Sequence, residues 1–417
     1  MVIPIKGIKD FKAKALQWAA EFDICCILDS NSYTDAYSKF DLAIAVDFIA
    51  KTEVSNFESI QEFKTKYPQN WIFGGFSYDL KNNTEQLHSN NLDNLDFPQA
   101  FFFVPKHLII IKNEQIEIIS ESDKEIWKNI EETILTKEEN TAKINIEARF
   151  SKSQYKHTVE KVLHEIAIGN IYETNFCMEF YALNCIINPL YTYQKLNKQS
   201  PTPFSNYFKW FDKHIISATP ERFLAKRGDK LISQPIKGTA KRGITVTEDL
   251  EIINALKAHP KELQENVMIV DLVRNDLTKS AKKGTVKVEE LFGVYSFKQV
   301  HHLISTVVCQ KQEDLESIEV IKNTFPMGSM TGAPKIRAME LMEQFERTKR
   351  GMYSGAVGYF SPDGDFDFNV IIRTILYNQT NKYLSFQVGS AITYYAIPEN
   401  EYEECLLKVK AILEVLG

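Results

Sequence analysis

The sequence is poor in cysteine, with six among 417 residues and none at the spacing of a metal-binding set. Cys25 and Cys26 are neighbours, and adjacent residues do not form a Cys-x-x-Cys site. No cysteine stands in a Gly-x-Cys-x-Gly turn, the turn that carries the thiol nucleophile of triad glutaminases. We therefore predict reduced, mostly buried thiols and expect no glutaminase centre within this chain.

Long apolar runs and an excess of positive charge are also missing. No stretch has enough consecutive apolar residues to span a bilayer, and the first twenty residues mix Lys and Asp with apolar residues, unlike a signal peptide. The net charge of −6 offers no electrostatic footprint for nucleic acid. We therefore expect a cytoplasmic protein with no nucleic-acid partner and no membrane partner.

The order of strand-like and helical segments predicts a mixed α/β fold of the α+β type, without repeats. Apolar, β-rich runs predict strands at about 24–28, 101–111, 176–183, 214–218, 355–360, 370–377 and 383–388. Helical spacing of apolar residues predicts a helix from about 153, a helical region over 248–276 broken near Pro260, and a last helix from about 399.

The chain is longer than one hydrophobic core usually supports, so one large domain or two interlocked domains are expected. The charged segment 137–145 has the composition of a linker. We therefore predict an N-terminal domain over 1–147, interlocked with the core, and a second domain over 148–417 that carries the chemistry.

Two pairs of glutamates, Glu262 with Glu265 and Glu401 with Glu404, stand three residues apart within predicted helices. Residues at this spacing share one helix face, so each helix can aim two carboxylates at one point. Carboxylate oxygens from two elements, with positions left for water and substrate, suit Mg²⁺. Such pairs also form solvated helix faces, so the spacing by itself leaves both interpretations open.

Seven motifs between about Ser153 and the C-terminus resemble those of the chorismate-utilising enzymes, a family that includes anthranilate, aminodeoxychorismate, isochorismate and salicylate synthases. The matching segments are 169–175 (GNIYETN), 219–223 (TPERF), 235–239 (PIKGT), 265–276 (ENVMIVDLVRND), 300–303 (VHHL), 325–335 (FPMGSMTGAPK) and 372–374 (IRT). The resemblance implies two β-sheets packed as a sandwich, with helices outside and an active site in a cleft between the sheets.

Two positions distinguish the branches of this family. Where isochorismate-forming members carry a lysine that activates water, this chain has Glu173. At the third position of the PIKGT turn, anthranilate synthases usually carry alanine and aminodeoxychorismate synthases carry lysine, and here the residue is Lys237. A lysine in a tight turn is ordinarily a surface residue. In this turn the resemblance implies a covalent nucleophile.

The implied reaction is the amination of chorismate at C4 by ammonia, a step toward para-aminobenzoate and folate. A neutral Lys237 amine attacks C2 while Glu221 protonates the departing C4 hydroxyl, and ammonia then adds at C4 and expels the lysine. Glu221 must be protonated for this step, so we expect a raised pKa; a simple pairing with Arg222 is the alternative. His302 is expected near the C4 hydroxyl, and a histidine of the core is the alternative.

The resemblance also implies the remaining site residues. Mg²⁺ is expected at Glu265 and Glu404, with Glu262 and Glu401 in support. The residues expected at the substrate are Arg373 and Lys408, the Tyr353 hydroxyl, and the backbone at Gly238, Thr239, Gly328, Thr331, Gly332, Gly389 and Ala391. Ala391 stands where the family has glycine, and Glu173 where aminating members have glutamine.

The partners implied are chorismate, ammonia and a separate glutamine amidotransferase subunit that supplies the ammonia. Two other functions stay open from the sequence. One is component I of anthranilate synthase, which would eliminate pyruvate from the substrate. The other is a non-catalytic chorismate-binding subunit, suggested by Ala391 and Glu173.

Overall fold

The computed structural model describes residues 1–4, 10–136 and 144–417, so the predicted linker at 137–145 lies largely outside the described residues. Their strands are β1 (Val2–Pro4), β2 (Ile24–Asp29), β3 (Leu42–Val46), β4 (Ala50–Val54), β5 (Ile72–Phe76), β6 (Ala100–Val104), β7 (His107–Lys112), β8 (Gln115–Ile119), β9 (Glu147–Ala148), β10 (Glu173–Ala182), β11 (Ser205–Trp210), β12 (Lys213–Ser217), β13 (Arg222–Arg227), β14 (Lys230–Gln234), β15 (Ile236–Lys241), β16 (Lys287–Ser296), β17 (Val300–Gln310), β18 (Gly332–Ala333), β19 (Ala356–Phe360), β20 (Phe366–Val370), β21 (Thr374–Asn378) and β22 (Tyr383–Thr393).

The α-helices of the same residues are α1 (Phe11–Ala20), α2 (Phe57–Lys66), α3 (Asp123–Glu132), α4 (Lys152–Ala167), α5 (Pro189–Gln199), α6 (Val246–Ala258), α7 (Pro260–Thr278), α8 (Ser317–Thr324), α9 (Lys335–Phe345) and α10 (Pro398–Leu416). The helix predicted from about 153 begins at Lys152, after a capping box of Ser151 and Gln154. No helix in the described part of the chain has the length and apolarity needed to cross a bilayer.

The strands form two antiparallel sheets. The larger has twelve strands, in the order β1-β8-β7-β3-β2-β11-β12-β21-β22-β10-β18, with β9 also paired to β10. The smaller has ten, in the order β15-β17-β14-β13-β20-β19-β5-β6-β4, with β16 also paired to β17. The fold is therefore mixed α/β with two sheets and outer helices, as predicted.

Apolar side chains fill the space between the two sheets. The rings of Phe101 on β6 and Trp210 on β11, one from each sheet, lie 5.0 Å apart. A second core lies on the other face of the larger sheet, where α1, α3, α4, α5, α9 and α10 pack. A strand that is buried on both faces has a continuous apolar sequence, and all six residues of β2 are buried.

All six cysteines are free and buried, which confirms the prediction.

The segments predicted as two domains, 1–147 and 148–417, are joined by backbone pairing in both sheets. In the larger sheet β2 pairs with β11, and in the smaller sheet β5 pairs with β19. Each sheet therefore contains strands from either side of residue 147.

Two predicted strands are wrong as single elements. The run 101–111 divides at Pro105 into β6 and β7, and the run 370–377 divides after Val370 into β20 and β21. In both cases the two halves belong to different sheets. The crossing falls at Pro105 and Lys106 in the first run and at Arg373 in the second, residues that interrupt the apolar pattern. A proline within a strand-like run argues against a single strand, so the first division had a signal in the sequence.

The buried guanidinium of Arg350 makes hydrogen bonds to several segments of the chain. It donates to the carboxylate of Glu346 at 2.9 and 2.7 Å, and to the carbonyl oxygens of Met330 and Asn175 at 2.6 and 2.8 Å. Glu346 also accepts the backbone N–H of Cys177 at 3.0 Å. The pair therefore connects β10 to the turn at Gly328–Met330.

Glu346→Gln is expected to lower the free energy of unfolding by about 3–5 kcal/mol, because it leaves a buried guanidinium without its counter-charge. Chemical denaturation measures the change. Glu340→Gln, which breaks the exposed pair with Arg337, is the matched control and should change stability by no more than about 1 kcal/mol. If the two substitutions lower the free energy of unfolding equally, the buried pair of Arg350 and Glu346 stabilises the fold no more than an exposed pair does.

Candidate active site

A cavity of about 570 Å³ opens between the two sheets and is called the cleft below. From the smaller sheet it is lined by β15, β17 and α7, and from the larger sheet by β10, β22 and α10. Most of the predicted site residues meet there. They are Glu221, Lys237, Gly238, Thr239, Glu262, Glu265, His302, Tyr353, Arg373, Gly389, Ala391, Glu404 and Lys408.

Four predicted site residues, Gly328, Thr331, Gly332 and Glu401, do not line the cleft. The first three belong to a turn behind its wall, whose Ser329 and Met330 do line it. Gly332 lies so close to β10 that a Cβ would meet the carbonyl oxygen of Glu173 at 2.3 Å. The predicted contacts of these residues with a ligand stay predictions.

Lys237 lies in a β-bulge, where the sequence predicted a turn. Ile236 and Thr239 on β15 pair with Ile304 and His302 on β17, so two residues of β15 stand opposite one of β17. Gly238 has φ +91°, a conformation that favours glycine. A bulge redirects the side chains of its strand, and here the Lys237 side chain lines the cleft.

Helix α7 holds this bulge through one polar side chain. The Asn266 amide donates to the carbonyl oxygen of Lys237 at 3.3 Å, and its own oxygen accepts from the Ser305 hydroxyl at 2.6 Å. A Cβ at Gly238 would lie 2.9 Å from Leu303 and 3.2 Å from the Glu262 carboxylate. The bulge, the helix and β17 therefore fit together closely at the cleft wall.

Three carboxylates surround Lys237 electrostatically. Burial raises the pKa of Glu173 and of Glu221, and the charge on Lys237 opposes both shifts. The pKa of Glu404 is lowered mainly by Lys408, with a smaller contribution from Lys237. Lys237 forms no salt bridge with any residue that the structure describes. Its amine therefore has no fixed partner and is free to reach a bound molecule.

Glu221 lies between β12 and β13 and is 4% exposed. Burial raises the pKa of its carboxyl to about 7, with the charges of Lys237 and Arg373 opposing the shift. Arg222 donates instead to Asp367, at 3.0 and 3.1 Å, and to Asp35. The predicted rise in pKa is confirmed, and the alternative pairing of Glu221 with Arg222 is not found.

His302 is neutral in this structure. Burial lowers its pKa to about 3, and the nearby charge of Arg373 acts in the same direction. Its Nδ1 lies 2.9 Å from the Thr239 hydroxyl oxygen. His302 is thus a buried histidine that also lines the cleft. As a neutral side chain it can donate or accept a hydrogen bond with a hydroxyl group, but it carries no positive charge.

The opposite part of the cleft presents donors suited to carboxylates. The Arg373 guanidinium makes no hydrogen bond or salt bridge within the described ranges, although it is surrounded by the Glu221, Glu404 and Tyr353 side chains. The Lys408 ammonium donates to the Gly389 carbonyl at 2.9 Å and pairs with Glu404 at 2.6 Å. Burial raises the pKa of Tyr353 well above its usual value, so its hydroxyl stays a donor.

The glutamates of α7 and α10 form a crowded carboxylate group. Burial, and then the charges of Glu265 and Glu404, raise the pKa of Glu262 to about 7. Lys261 pairs with Glu401 at 3.1 Å and lies 3.6 Å from Oε1 of Glu265. Oε1 of Glu265 and Oε2 of Glu401 are buried without a hydrogen bond from the described residues.

Buried carboxylate oxygens that accept no hydrogen bond, such as Oε1 of Glu265 and Oε2 of Glu401, are suited to bind a cation. Among residues 1–4, 10–136 and 144–417, no group of three or more His, Cys, Asp or Glu side chains is arranged to hold a metal by itself. Mg²⁺ commonly takes one or two protein carboxylates and completes its shell with water and substrate oxygens. Glu265 and Glu404, facing the cleft, suit that arrangement.

Sequence reasoning missed two polar residues of the site. Lys261 links the two glutamate pairs, and its position four residues before Glu265 on α7 was the available signal. Asn175 lines the cleft from β10 and lies within the GNIYETN motif, yet it received no role.

A two-sheet fold whose cleft holds buried cations, a carboxyl of raised pKa and a group of carboxylates is typical of an enzyme. The chain belongs to the family of chorismate binding enzymes, which it matches over residues 22–414.

The relatives of this chain are named for more than one function. The anthranilate synthase component I-like protein of Synechocystis is 33% identical over 83% of this chain and 72% of that protein. Aminodeoxychorismate synthase component 1 of Bacillus subtilis is 30% identical over 84% of this chain and 77% of that protein. The crystal structure of anthranilate synthase component I from Streptococcus pneumoniae has a TM-score of 0.79 at 24% identity, covering 92% of this chain and 93% of that one.

The pKa of Glu221 predicts a specific pH dependence of stability. Its carboxyl titrates near pH 7 when folded and near 4.5 in the unfolded chain. The folded state therefore holds the proton more tightly, and this contribution to stability is complete below about pH 4.5 and lost as the pH rises through about 7. Over this pH range the free energy of unfolding of the wild type should fall by up to about 3 kcal/mol relative to that of Glu221→Gln, which cannot titrate at this position. If the difference between the two free energies of unfolding stays constant with pH, the assignment is wrong.

Proposed function

We propose that this chain aminates chorismate at C4, giving 4-amino-4-deoxychorismate, with Lys237 as a covalent nucleophile. The observation that carries the proposal is the bulge that places Lys237 in the same cleft as Glu221, whose pKa burial raises to about 7. The relative from Bacillus subtilis supports this activity, while other relatives at similar identity are described as anthranilate synthases. The choice between the two activities therefore rests on Lys237.

The proposed reaction has two allylic displacements. The Lys237 lone pair attacks C2, the C1–C2 double bond moves to C1–C6, the C5–C6 double bond moves to C4–C5, and the C4–O bond breaks as Glu221 delivers its proton, releasing water. Ammonia then attacks C4, the two double bonds return to C5–C6 and C1–C2, and the C2–N bonding pair leaves with the lysine as a neutral amine. Covalent catalysis of this kind replaces one difficult step by two easier ones. Glu221 regains its proton from solvent.

The donors opposite Lys237 orient the substrate. Arg373 offers a planar fork to one carboxylate, and Lys408 offers a point charge to a carboxylate beside it. Neutral His302 and the Tyr353 hydroxyl can exchange hydrogen bonds with the substrate hydroxyl and ring substituents. These buried groups fix the ring so that C2 faces Lys237 and the C4 hydroxyl faces Glu221.

Glu265 and Glu404 would hold Mg²⁺, with Glu262 and Glu401 in support. The ion would neutralise the ring carboxylate and the carboxylate group of α7 and α10 together.

The ammonia is proposed to come from a separate glutamine amidotransferase subunit. Releasing ammonia from glutamine requires an activated thiolate. Burial raises the pKa of all six cysteines here, so each thiol stays protonated. We place this reaction in the cytoplasm, where such thiols remain reduced.

The purified chain with chorismate, Mg²⁺ and ammonium should form 4-amino-4-deoxychorismate, and with glutamine in place of ammonium it should form none. Without ammonium, intact-protein mass spectrometry should show a chorismate-derived adduct, because the second displacement has no nucleophile. Lys237→Ala should abolish the adduct, while Lys241→Ala, on the same strand, should keep it. Pyruvate and fluorescent anthranilate as products would replace this function by anthranilate synthesis.

Glu265→Gln and Glu404→Gln should each raise the Mg²⁺ concentration needed for half-maximal turnover by about tenfold or more, because each removes a charged oxygen from the metal. Titration of turnover with Mg²⁺ measures the effect. Glu403→Gln, exposed on the same helix and paired with Lys152, is the matched control. An unchanged Mg²⁺ requirement in both site variants would refute the assignment.

A further inference from the structure

Asn266 is a fully buried residue whose side-chain amide joins α7 to the strands beside the cleft. Its Nδ2 donates to the carbonyl oxygens of Lys237 and Leu303, at 3.3 and 3.5 Å, and its Oδ1 accepts from the Ser305 hydroxyl at 2.6 Å. A carbonyl oxygen only accepts hydrogen bonds, so the amide nitrogen must face the two carbonyls. The orientation of the Asn266 side chain is therefore determined by its neighbours.

Ser305 holds the other end of this amide. Its hydroxyl oxygen accepts the backbone N–H of Phe292 at 3.1 Å, so the hydroxyl hydrogen is left to donate to Asn266. Ser305 is itself fully buried, and its own N–H donates to the carbonyl oxygen of Pro235 at 3.2 Å. A chain of hydrogen bonds therefore runs from β16 through β17 and α7 to Lys237. A satisfied buried network of this kind is rigid.

The carbonyl that Asn266 binds belongs to the bulge of β15. Ile236 and Thr239 pair with β17, and Lys237 and Gly238 lie between these two pairs. A bulge disrupts the ladder of backbone hydrogen bonds, so a carbonyl within it needs another partner. Asn266 supplies that partner, and the position of the Lys237 main chain thus depends on a side chain of α7.

The same bulge contacts two further residues of the cleft. The Ile236 backbone forms a hydrogen bond with the Glu221 carboxyl, and the Gly238 backbone forms one with the His302 ring. A displacement of the bulge would therefore move Lys237 relative to both side chains.

We propose that Asn266 is a positioning residue that determines the direction from which the Lys237 amine approaches the substrate. The inference rests on the proposed function, in which this amine attacks carbon. Neither Asn266 nor Ser305 lines the cleft, so both act without touching the substrate. The carboxylates of the substrate are assigned to Arg373 and Lys408, on other elements. Loss of the Asn266 amide should therefore slow the attack and leave substrate binding nearly unchanged.

The test measures the rate of adduct formation at Lys237 without ammonium, by quenched intact-protein mass spectrometry over a range of chorismate concentrations. Asn266→Asp keeps the size of the side chain and the acceptor for Ser305, but its carboxylate cannot donate to the Lys237 carbonyl. The maximal rate should fall about tenfold to a hundredfold, because a misplacement of about 1 Å has an effect of that size. The chorismate concentration for half-maximal rate should change by less than about twofold, because the groups that bind the substrate are unchanged.

Asn206→Asp is the matched control. Asn206 is also fully buried and donates to a backbone carbonyl, that of Phe204 at 3.2 Å, but it lies on β11 and does not line the cleft. Both substitutions should lower the free energy of unfolding, because each removes a buried donor. Only Asn266→Asp should slow adduct formation.

Ser305→Ala is the milder variant, because it removes the support of the amide and leaves the Asn266 donor in place. It should slow adduct formation less than Asn266→Asp does, and it carries the test if Asn266→Asp does not fold. The double variant should be no slower than Asn266→Asp alone, since Ser305 acts through Asn266.

An unchanged maximal rate in folded Asn266→Asp overturns the proposal. An equal loss of rate in Asn206→Asp also overturns it, because the rate would then follow stability. So does a higher half-maximal chorismate concentration at unchanged maximal rate, which would make Asn266 a support of substrate binding. If the wild type forms no adduct, the proposed function fails, and amide hydrogen exchange in β15 then tests Asn266 separately. Exchange there should be faster in Asn266→Asp than in Asn206→Asp, and equal exchange overturns the positioning role.

Discussion

The architecture depends on the buried ion pair of Arg350 and Glu346. A guanidinium at 2% exposure is tolerable because its donors are used by Glu346 and by the carbonyl oxygens of Met330 and Asn175. Its face also lies 4.5 Å from the ring of Tyr78, which follows a strand of the smaller sheet. One side chain therefore sets where β10 of the larger sheet stands relative to the turn behind the cleft wall and to the other sheet.

Once the two sheets are fixed, local irregularities decide what enters the cleft. The bulge at Lys237 and Gly238 turns a strand residue out of the sheet's alternation and toward the larger sheet. Arg373 adopts φ +52°, unusual for a residue with a Cβ, in the crossing between β20 and β21. Lys237 and Arg373 thus both reach the cleft through departures from regular strand geometry.

Acidic and basic side chains alternate in the cleft, as in the pair of Lys408 with Glu404. Carboxylates gather where α7 and α10 meet, and there burial, followed by the charges of Glu265 and Glu404, raises the pKa of Glu262 to about 7. For Lys408, burial alone would lower the pKa, but the Glu404 carboxylate more than offsets it, so the ammonium stays charged. Burial therefore raises the pKa of a carboxyl where like charges crowd, and an opposite charge close by keeps a buried ammonium protonated.

The fold class and the starts of several helices were readable from the sequence because they depend on local patterns. The helix start at Lys152, the break at Pro260 and the glutamate spacing on α7 follow from capping, proline geometry and helical periodicity. Lys237 and Glu221 were singled out by the resemblance of their motifs to the family, and both line the cleft.

The tertiary structure determines features that the periodicity of the sequence does not predict. The halves of the runs 101–111 and 370–377 join different sheets, and only the long-range pairing of the strands shows which sheet each half joins. The pKa of about 7 at Glu221 arises from burial by distant segments. The hydrogen bond from Asn266 to the Lys237 carbonyl likewise exists only after α7 packs against the bulge of β15. Residue identity determined which chemistry was available, and burial and pairing between remote strands determined where that chemistry can act.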